Sequence, residues 1–441
     1  MYKLRETDIV YFRDKNEIFT IISNFIAVNG SNIRIFSYLL FVQLFVLAVG
    51  FFTQIKIANT LGRELFGQLA YGLAIGIYGQ VFIRFGLDRT LVRDLVHHPE
   101  KTENIVAASL TLRYALSVFL IFALVLWKHF FAVDISWGLL LVIIGFSILS
   151  LDLQPVYDAW KKIPRHTTYY LIQKIIYFTV VWFIVLFFPN SLSINLIGTA
   201  VLSSAIVFLF LQHNWVANAM IDRTEIRYSF FAAYELGRQN ILVWFTAFGG
   251  LFIVYFNQLI LKYYAGFSEL GSYAAAWQIV MLGMLFLDQI ARIGNPATAY
   301  YTKRDVPPRA RATFIMKYVS IMMIAISPIV LVMLVFQTLV FELLFKPEYA
   351  PASTLLPIFA IYLILVSVGY VASQYLLAAR KEQYYFFSIL IGAIASVLLG
   401  VSIIPCYGAW GAALTICVSH ALTILINIAC MFYNLKKEDE Q

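Results

Sequence analysis

The feature that most constrains this chain is a succession of twelve apolar stretches, each about 20 residues long, the length a helix needs to cross the hydrocarbon core of a bilayer. Six lie near 35–60, 67–91, 104–127, 136–158, 167–188 and 192–214. After the polar segment AMIDRTEIRYSFFAAYELGRQ, six more lie near 239–264, 269–294, 312–336, 352–378, 384–404 and 409–433. Within hydrocarbon each backbone N–H and C=O must be bonded inside the segment, so apolar stretches of this length are read as helices. With 61% hydrophobic and 13% charged residues and a mean hydropathy of +0.80, the chain is too apolar for a water-soluble domain. The expected fold is an all-α polytopic membrane protein.

Lys and Arg set the orientation. Twenty-two fall on one side of the spans, in the N-terminal segment, the loops near Arg93, Lys162, Arg227, Arg304 and Arg380, and the tail at Lys436 and Lys437; three, Arg63, Lys128 and Lys346, fall on the other. Basic loops stay in the cytoplasm, which predicts cytoplasmic termini. The same distribution explains the net charge of +8 without nucleic acid, since the basic residues are scattered between spans rather than gathered in one patch. Cys406, Cys417 and Cys430 form no CxxC, so redox chemistry and a disulfide framework are excluded, and no cofactor or metal is expected. Residues 18–28 are too short for a span, have no cleavage site and read as an interfacial amphipathic helix.

The chain is duplicated. Displaced by 204 positions without a gap, Phe52 falls on Phe256, Gln54 on Gln258, Gly62 on Gly266, Gly67 on Gly271, Ala70 on Ala274, Ile75 on Ile279, Gly79 on Gly283 and Phe82 on Phe286. RHTTYY at Arg165–Tyr170 echoes RKEQYY at Arg380–Tyr385 in the second halves of the copies. Six spans per copy is an even number, so both copies run the same way and are related by a pseudo-twofold along the membrane normal, with a central cavity between two six-helix lobes. The domains follow: 1–33 a cytoplasmic interfacial segment, 34–217 the N-lobe, 218–238 a cytoplasmic linker, 239–434 the C-lobe and 435–441 a cytoplasmic tail. Outer loops of roughly 5–16 residues leave no room for an extramembrane catalytic domain.

Three stretches, NTLGRELFGQLAYGLAI, LFKPEYAPASTLLPIFAIYLIL and IIPCYGAWGAALTICVSH, resemble the O-antigen type of polysaccharide flippase in the multidrug/oligosaccharidyl-lipid/polysaccharide exporter superfamily. Lys346-Pro347 stands where that pattern usually has a glycine. The resemblance extends over nearly the whole chain from about residue 35. It implies export, by alternating access, of a lipid-linked oligosaccharide across the bacterial cytoplasmic (inner) membrane, with membrane lipids and the polymerase and chain-length proteins of the same pathway as partners, and no catalytic residues.

The charges inside spans fit an anionic solute. Lys56, Arg84, Arg113, Lys174, Lys262, Arg292 and Lys317 stand against few acids, mainly Asp88, Asp152 and Asp288. An ionisable group within a bilayer is costly and faces a wet cavity, a partner or the headgroups. Lys56, Lys262, Arg113 and Lys174 are the candidate cavity cations for a pyrophosphate; snorkelling to the headgroups is the competing explanation. Gln43, Gln54, Tyr255, Asn257 and Gln258 are candidates for sugar contacts. Arg84 falls on Asp288 and Asp88 on Arg292, so the i,i+4 charge pair is inverted between copies. Across a cleft these four would form two ion pairs, a cytoplasmic gate; within each helix they would neutralise one another. His420 reads either as a proton relay or as a satisfied buried histidine, and Gly72 with Gly76 as close helix packing. Two other functions are weighed. A multidrug antiporter would want carboxylates deep in the first or seventh span, and an O-antigen polymerase a long outer loop; neither is present.

Overall fold

The computed structural model describes residues 30–131, 135–188, 191–220, 229–302 and 306–439. The amphipathic helix expected at residues 18–28 lies outside them. The helices are α1 (Gly30–Arg84), α2 (Leu87–His97), α3 (Thr102–Phe130), α4 (Trp137–Ile148), α5 (Gln154–Ala159), α6 (Ile163–Phe187), α7 (Ile194–Met220), α8 (Phe230–Val254), α9 (Phe256–Tyr301), α10 (Pro308–Val335), α11 (Gln337–Leu344), α12 (Leu356–Ala378) and α13 (Glu382–Asp439). A 3₁₀ stretch, Pro347–Leu355, leads into α12. Among the described residues nine helical segments are long and apolar enough to cross a membrane, which makes the chain a multi-pass membrane protein.

Three of these segments are bent at a glycine with positive φ: Gly62 (φ 78°) in α1, Gly266 (φ 82°) in α9 and Gly408 (φ 54°) in α13. At Gly62 and Gly266 ψ is close to 180°, a combination essentially confined to glycine. These bends replace the loops expected near 60–67 and 264–269, because helical hydrogen bonding resumes one residue later. The 48-residue stretch Ser37–Arg84 would be about 72 Å long if straight. Instead Leu40 and Ile77, from its two arms, line one cavity. In α13 a Cβ on Gly411 would lie 2.9 Å from the Ile403 carbonyl oxygen, so the chain doubles back there too.

Gly62 and Gly266 are counterparts in the duplication, and so are the glycines just beyond them. A Cβ on Gly67 would lie 1.9 Å from the Phe267 carbonyl oxygen, and one on Gly271 would lie 1.9 Å from that of Arg63. Displacement by 204 maps Gly67 onto Gly271 and Arg63 onto Phe267, so the two contacts are reciprocal, the mark of an isologous crossing. Glycine lets the backbones of α1 and α9 touch here. Gly72 and Gly76 press against Leu139 and Phe146 of α4, which is the close packing expected of them.

Each half packs its inner helices on its own partners: α1 against α4 and α6 in the first, α9 against α10, α12 and α13 in the second. The largest buried cluster runs through both, from Ile57, Phe66 and Leu139 to Trp277, Phe359 and Tyr362. The turns entering α6 and α13 are the same device. Lys161 (φ 58°) and Arg380 (φ 56°) take the left-handed conformation, and the next N–H reaches five residues back, Lys162 to Tyr157 O and Lys381 to Leu376 O. By this geometry Lys161, rather than Arg165, is the counterpart of Arg380, so the sequence echo is four residues out of structural register.

Other boundaries also move. The second span ends at Arg84 rather than near 91, because Phe85 and Gly86 both have positive φ and α2 starts anew at Leu87. Helix occupies both ends of the expected 218–238 linker, α7 running to Met220 and α8 beginning at Phe230 under a Ser229 cap that accepts from Ala232 N at 3.3 Å.

Candidate functional site

A cavity of about 400 Å³ lies between both arms of α1, the inner faces of α4, α6 and α7, and both arms of α9. Leucine, alanine and aromatic side chains make most of its wall, with Tyr170, Tyr177, Tyr255 and Trp277 among them. Among the described lining residues there is one charged side chain, Lys174, and no carboxylate. Its ammonium lies 5.2 Å from the centroid of the Tyr170 ring, one turn earlier on α6. Besides the hydroxyls of Ser204 and the tyrosines and the Trp277 indole, the remaining polarity is carboxamide. Six of the chain's fifteen glutamines face this one space: Gln43, Gln54, Gln173, Gln258, Gln278 and Gln289. Gln173 donates to Ser204 Oγ at 3.4 Å, whereas the buried Gln54 Oε1 has no partner. A buried amide oxygen left unbonded costs stability, so this one is poised to accept a bond from a solute.

Of the residues expected to face a solute, Gln43, Gln54, Tyr255, Gln258 and Lys174 do so. Asn257 does not. It is fully buried, donating to Ile253 O at 3.1 Å and accepting from Ser396 Oγ at 3.4 Å. The other three candidate cavity cations lie off the cavity wall. Lys262 sits over the rings of Tyr71 and Phe267, 5.6 and 5.2 Å from their centroids, at the α1–α9 crossing. Lys56 is exposed on α1. Arg113, 1% exposed, donates to Asp88 Oδ1 at 2.8 Å, Asp152 O at 2.9 Å and Ser150 O at 3.3 Å, so its charge is spent within the first half.

The four residues of the expected gate are placed as follows. Arg84 pairs with Asp88 at 3.3 Å across the Phe85–Gly86 break, and Asp88 also receives Arg113. Asp288 accepts the hydroxyl of Tyr370 on α12. Arg292 is exposed and within electrostatic reach of Asp158, at the end of α5 in the other half. No pair joins Arg84 to Asp288 or Asp88 to Arg292 in this conformation.

At the other end, around Gly62 and Gly266, the halves are stitched together. Asn59 Nδ2 donates to Leu344 O and its Oδ1 accepts from Lys346 N, both at 2.8 Å. Arg63 donates to Glu348 O at 3.1 Å and faces Glu269 at 3.6 Å, while Tyr349 donates to Ala58 O at 3.0 Å. Sequence reasoning did not single out this seam, because three of its four hydrogen-bond acceptors are backbone carbonyls, those of Ala58, Leu344 and Glu348, which carry no side-chain signature. Gln173, Gln278 and Gln289 were also missed; their signal was a carboxamide inside an apolar span, the same that marked Gln43 and Gln54.

Residues 33–293 match the family described as "Polysaccharide biosynthesis protein". A probable low-salt glycan biosynthesis flippase of Haloferax volcanii is 24% identical over 182 residues, a match that takes in 41% of this chain and only 38% of that relative. Among solved structures, an inward-facing multidrug resistance transporter of the multidrug and toxin extrusion family superposes with a TM-score of 0.72 at 14% identity, covering 91% of this chain and 99% of its own. The lipid II flippase MurJ, in an inward closed conformation, superposes with a TM-score of 0.66 at 13% identity, covering 89% and 87%. At such identities the likeness is one of fold.

Proposed function

The chain belongs to the polysaccharide biosynthesis protein family, and from that premise we propose that it is a flippase moving a lipid-linked oligosaccharide, joined through a pyrophosphate to a polyprenyl lipid, across the cytoplasmic membrane by alternating access. The observation that carries this reading is the cavity wall: one lysine, six carboxamides and no carboxylate among the described lining residues. Lys174 offers the phosphate a counter-charge on the wall of α6, and the carboxamides offer the glycan donors and acceptors together. A multidrug antiporter carrying cations would need the opposite, carboxylates in the wall, and an enzyme would need a nucleophile or an acid–base pair there.

In the same reading the three glycine bends turn nine apolar segments into twelve crossings, arranged as two six-helix lobes about the reciprocal Gly67–Gly271 contact. The Lys and Arg bias puts both termini in the cytoplasm and the Gly62 end outside. The glycan unit would be of O-antigen or related surface-polysaccharide type, delivered to the polymerase and chain-length proteins of that pathway. The test is transport by the full chain in lipid vesicles, following an inner-leaflet lipid-linked oligosaccharide as it becomes accessible to a lectin outside. Wild-type vesicles should expose it faster than protein-free vesicles, and Lys174→Gln should slow this at least tenfold at low substrate. Equal rates with and without protein would sink the reading.

A further inference from the structure

We infer that the glycan this cavity accepts is electrically neutral, built of hydroxyl and N-acetyl groups, with its one anionic group at the lipid linkage, and that Gln54, Gln258 and Gln278 are the side chains that enforce this. The inference rests on the reading above and adds the charge class of the sugar.

The distribution of polarity along the cavity carries it. Gln43 and Gln54 are eleven residues apart on the first arm of α1, and Gln278 and Gln289 are eleven apart on the second arm of α9. Each pair therefore spans about 16 Å of helix at 1.5 Å per residue, more than one sugar ring. Lys174 stands on α6 beside Gln173, so among the described lining residues the one cation is confined to one place on that wall while the carboxamides extend along it.

A carboxamide carries two donors and an acceptor, and a sugar hydroxyl or N-acetyl group likewise both donates and accepts, so every polar atom on each side can be paired. A uronic acid keeps its donating hydroxyls, but its carboxylate only accepts: it would leave the glutamine carbonyls facing it unmatched and bring a second negative charge into a largely apolar wall whose one lysine is already opposite the phosphate. An amino sugar only donates from its ammonium and would find no carboxylate at all among the described lining residues. Asp288, the acid nearest in sequence to Gln289, is bonded to Tyr370. Rejection of charged glycans thus comes from what the wall lacks, which is how specificity against close relatives is commonly built.

The experiment is equilibrium binding of three radiolabelled probes to the full chain in nanodiscs: farnesyl diphosphate, its N-acetylglucosamine conjugate and its glucuronic acid conjugate. The N-acetylglucosamine probe should bind at least tenfold more tightly than the glucuronic acid probe. The Gln54→Leu, Gln258→Leu double variant should bind the N-acetylglucosamine probe no better than farnesyl diphosphate alone. Gln278→Lys should raise affinity for the glucuronic acid probe, a gain that a purely structural glutamine would not produce. Equal or tighter binding of the glucuronic acid probe by wild type, or no gain from Gln278→Lys, would overturn the inference while leaving the lipid-linked reading intact. Failure of all three probes to bind would remove that reading, and the neutrality inference with it.

Discussion

Arg113 and Lys174 are both cations within spans of the first half, and their surroundings divide their roles. The Arg113 guanidinium is enclosed, tying α3 to the first turn of α2 through Asp88 and to the end of α4 through two carbonyl oxygens. Lys174 faces open space. Removing one partner of a buried charged pair is strongly destabilising, but Asp88 is 41% exposed and keeps Arg84, so Arg113→Gln should cost roughly 2 kcal/mol rather than the full penalty of about 3–5. Thermal unfolding in detergent should then find Arg113→Gln several degrees less stable and Lys174→Gln unchanged, with the transport loss confined to the second. Comparable destabilisation by both would contradict the division. A sequence marks a cation in an apolar span equally well in both cases. What it does not contain is whether three oxygens, from α2 and from the residues just after α4, have converged on the side chain, since Asp88, Ser150 and Asp152 lie 25 to 39 positions away. The cavity glutamines were legible for the complementary reason: an uncharged polar group amid leucines needs a partner, and no local backbone rule supplies one.

At the scale of the helix, the bends were legible as matched glycines and illegible as bends. Gly62 and Gly266 stand out because displacement by 204 repeats them, but apolar runs on both sides of each mark only where two spans meet, and a loop and a bend look alike there. The Phe85–Gly86 break was hidden for a similar reason. Arg84 and Asp88 keep their i,i+4 spacing in sequence through it while the backbone breaks, so the pair bridges two helices instead of lying along one. Asp88 there occupies the first turn of α2, where the helix dipole favours an acid. The proposed gate concerns a state in which the cavity is closed at that end. If the halves approach there, Arg84 and Asp288 meet as the duplication suggests, with Arg292 exchanging Asp158 for Asp88. Under that proposal Arg84→Asp should impair export, and adding Asp288→Arg should restore it substantially. Recovery by Asp88→Arg in place of Asp288→Arg would assign the pairing to one half and remove the gate.

At the scale of the molecule, the seam around Asn59 and Arg63 is what alternating access would have to undo. Four hydrogen bonds cross it, two through Asn59, one through Arg63 and one through Tyr349, each worth about 1 kcal/mol net. The Arg63–Glu269 pair, 3.6 Å apart and 23% and 42% exposed, adds at most about 1 kcal/mol. The sum, about 5 kcal/mol, is close to the roughly 5.5 kcal/mol that carries a two-state equilibrium from 1:99 to 99:1. Under alternating access a seam of that strength would hold one conformation and still yield to the differential binding of a substrate. Much stronger stitching would fix the protein in one state. In a background where Cys406, Cys417 and Cys430 are replaced by Ala, cysteines at Asn59 and Lys346 joined by a short reducible cross-linker should hold the seam shut. Transport in vesicles should stop on cross-linking and return on reduction, while binding of a lipid-linked probe to the cross-linked protein persists, because the cavity lies on the far side of the Gly67–Gly271 crossing. Either cysteine alone should transport at the same rate before and after treatment with the cross-linker. Undiminished transport by fully cross-linked protein would mean that the halves never part at this end, and the route of the substrate would have to be sought elsewhere in the fold.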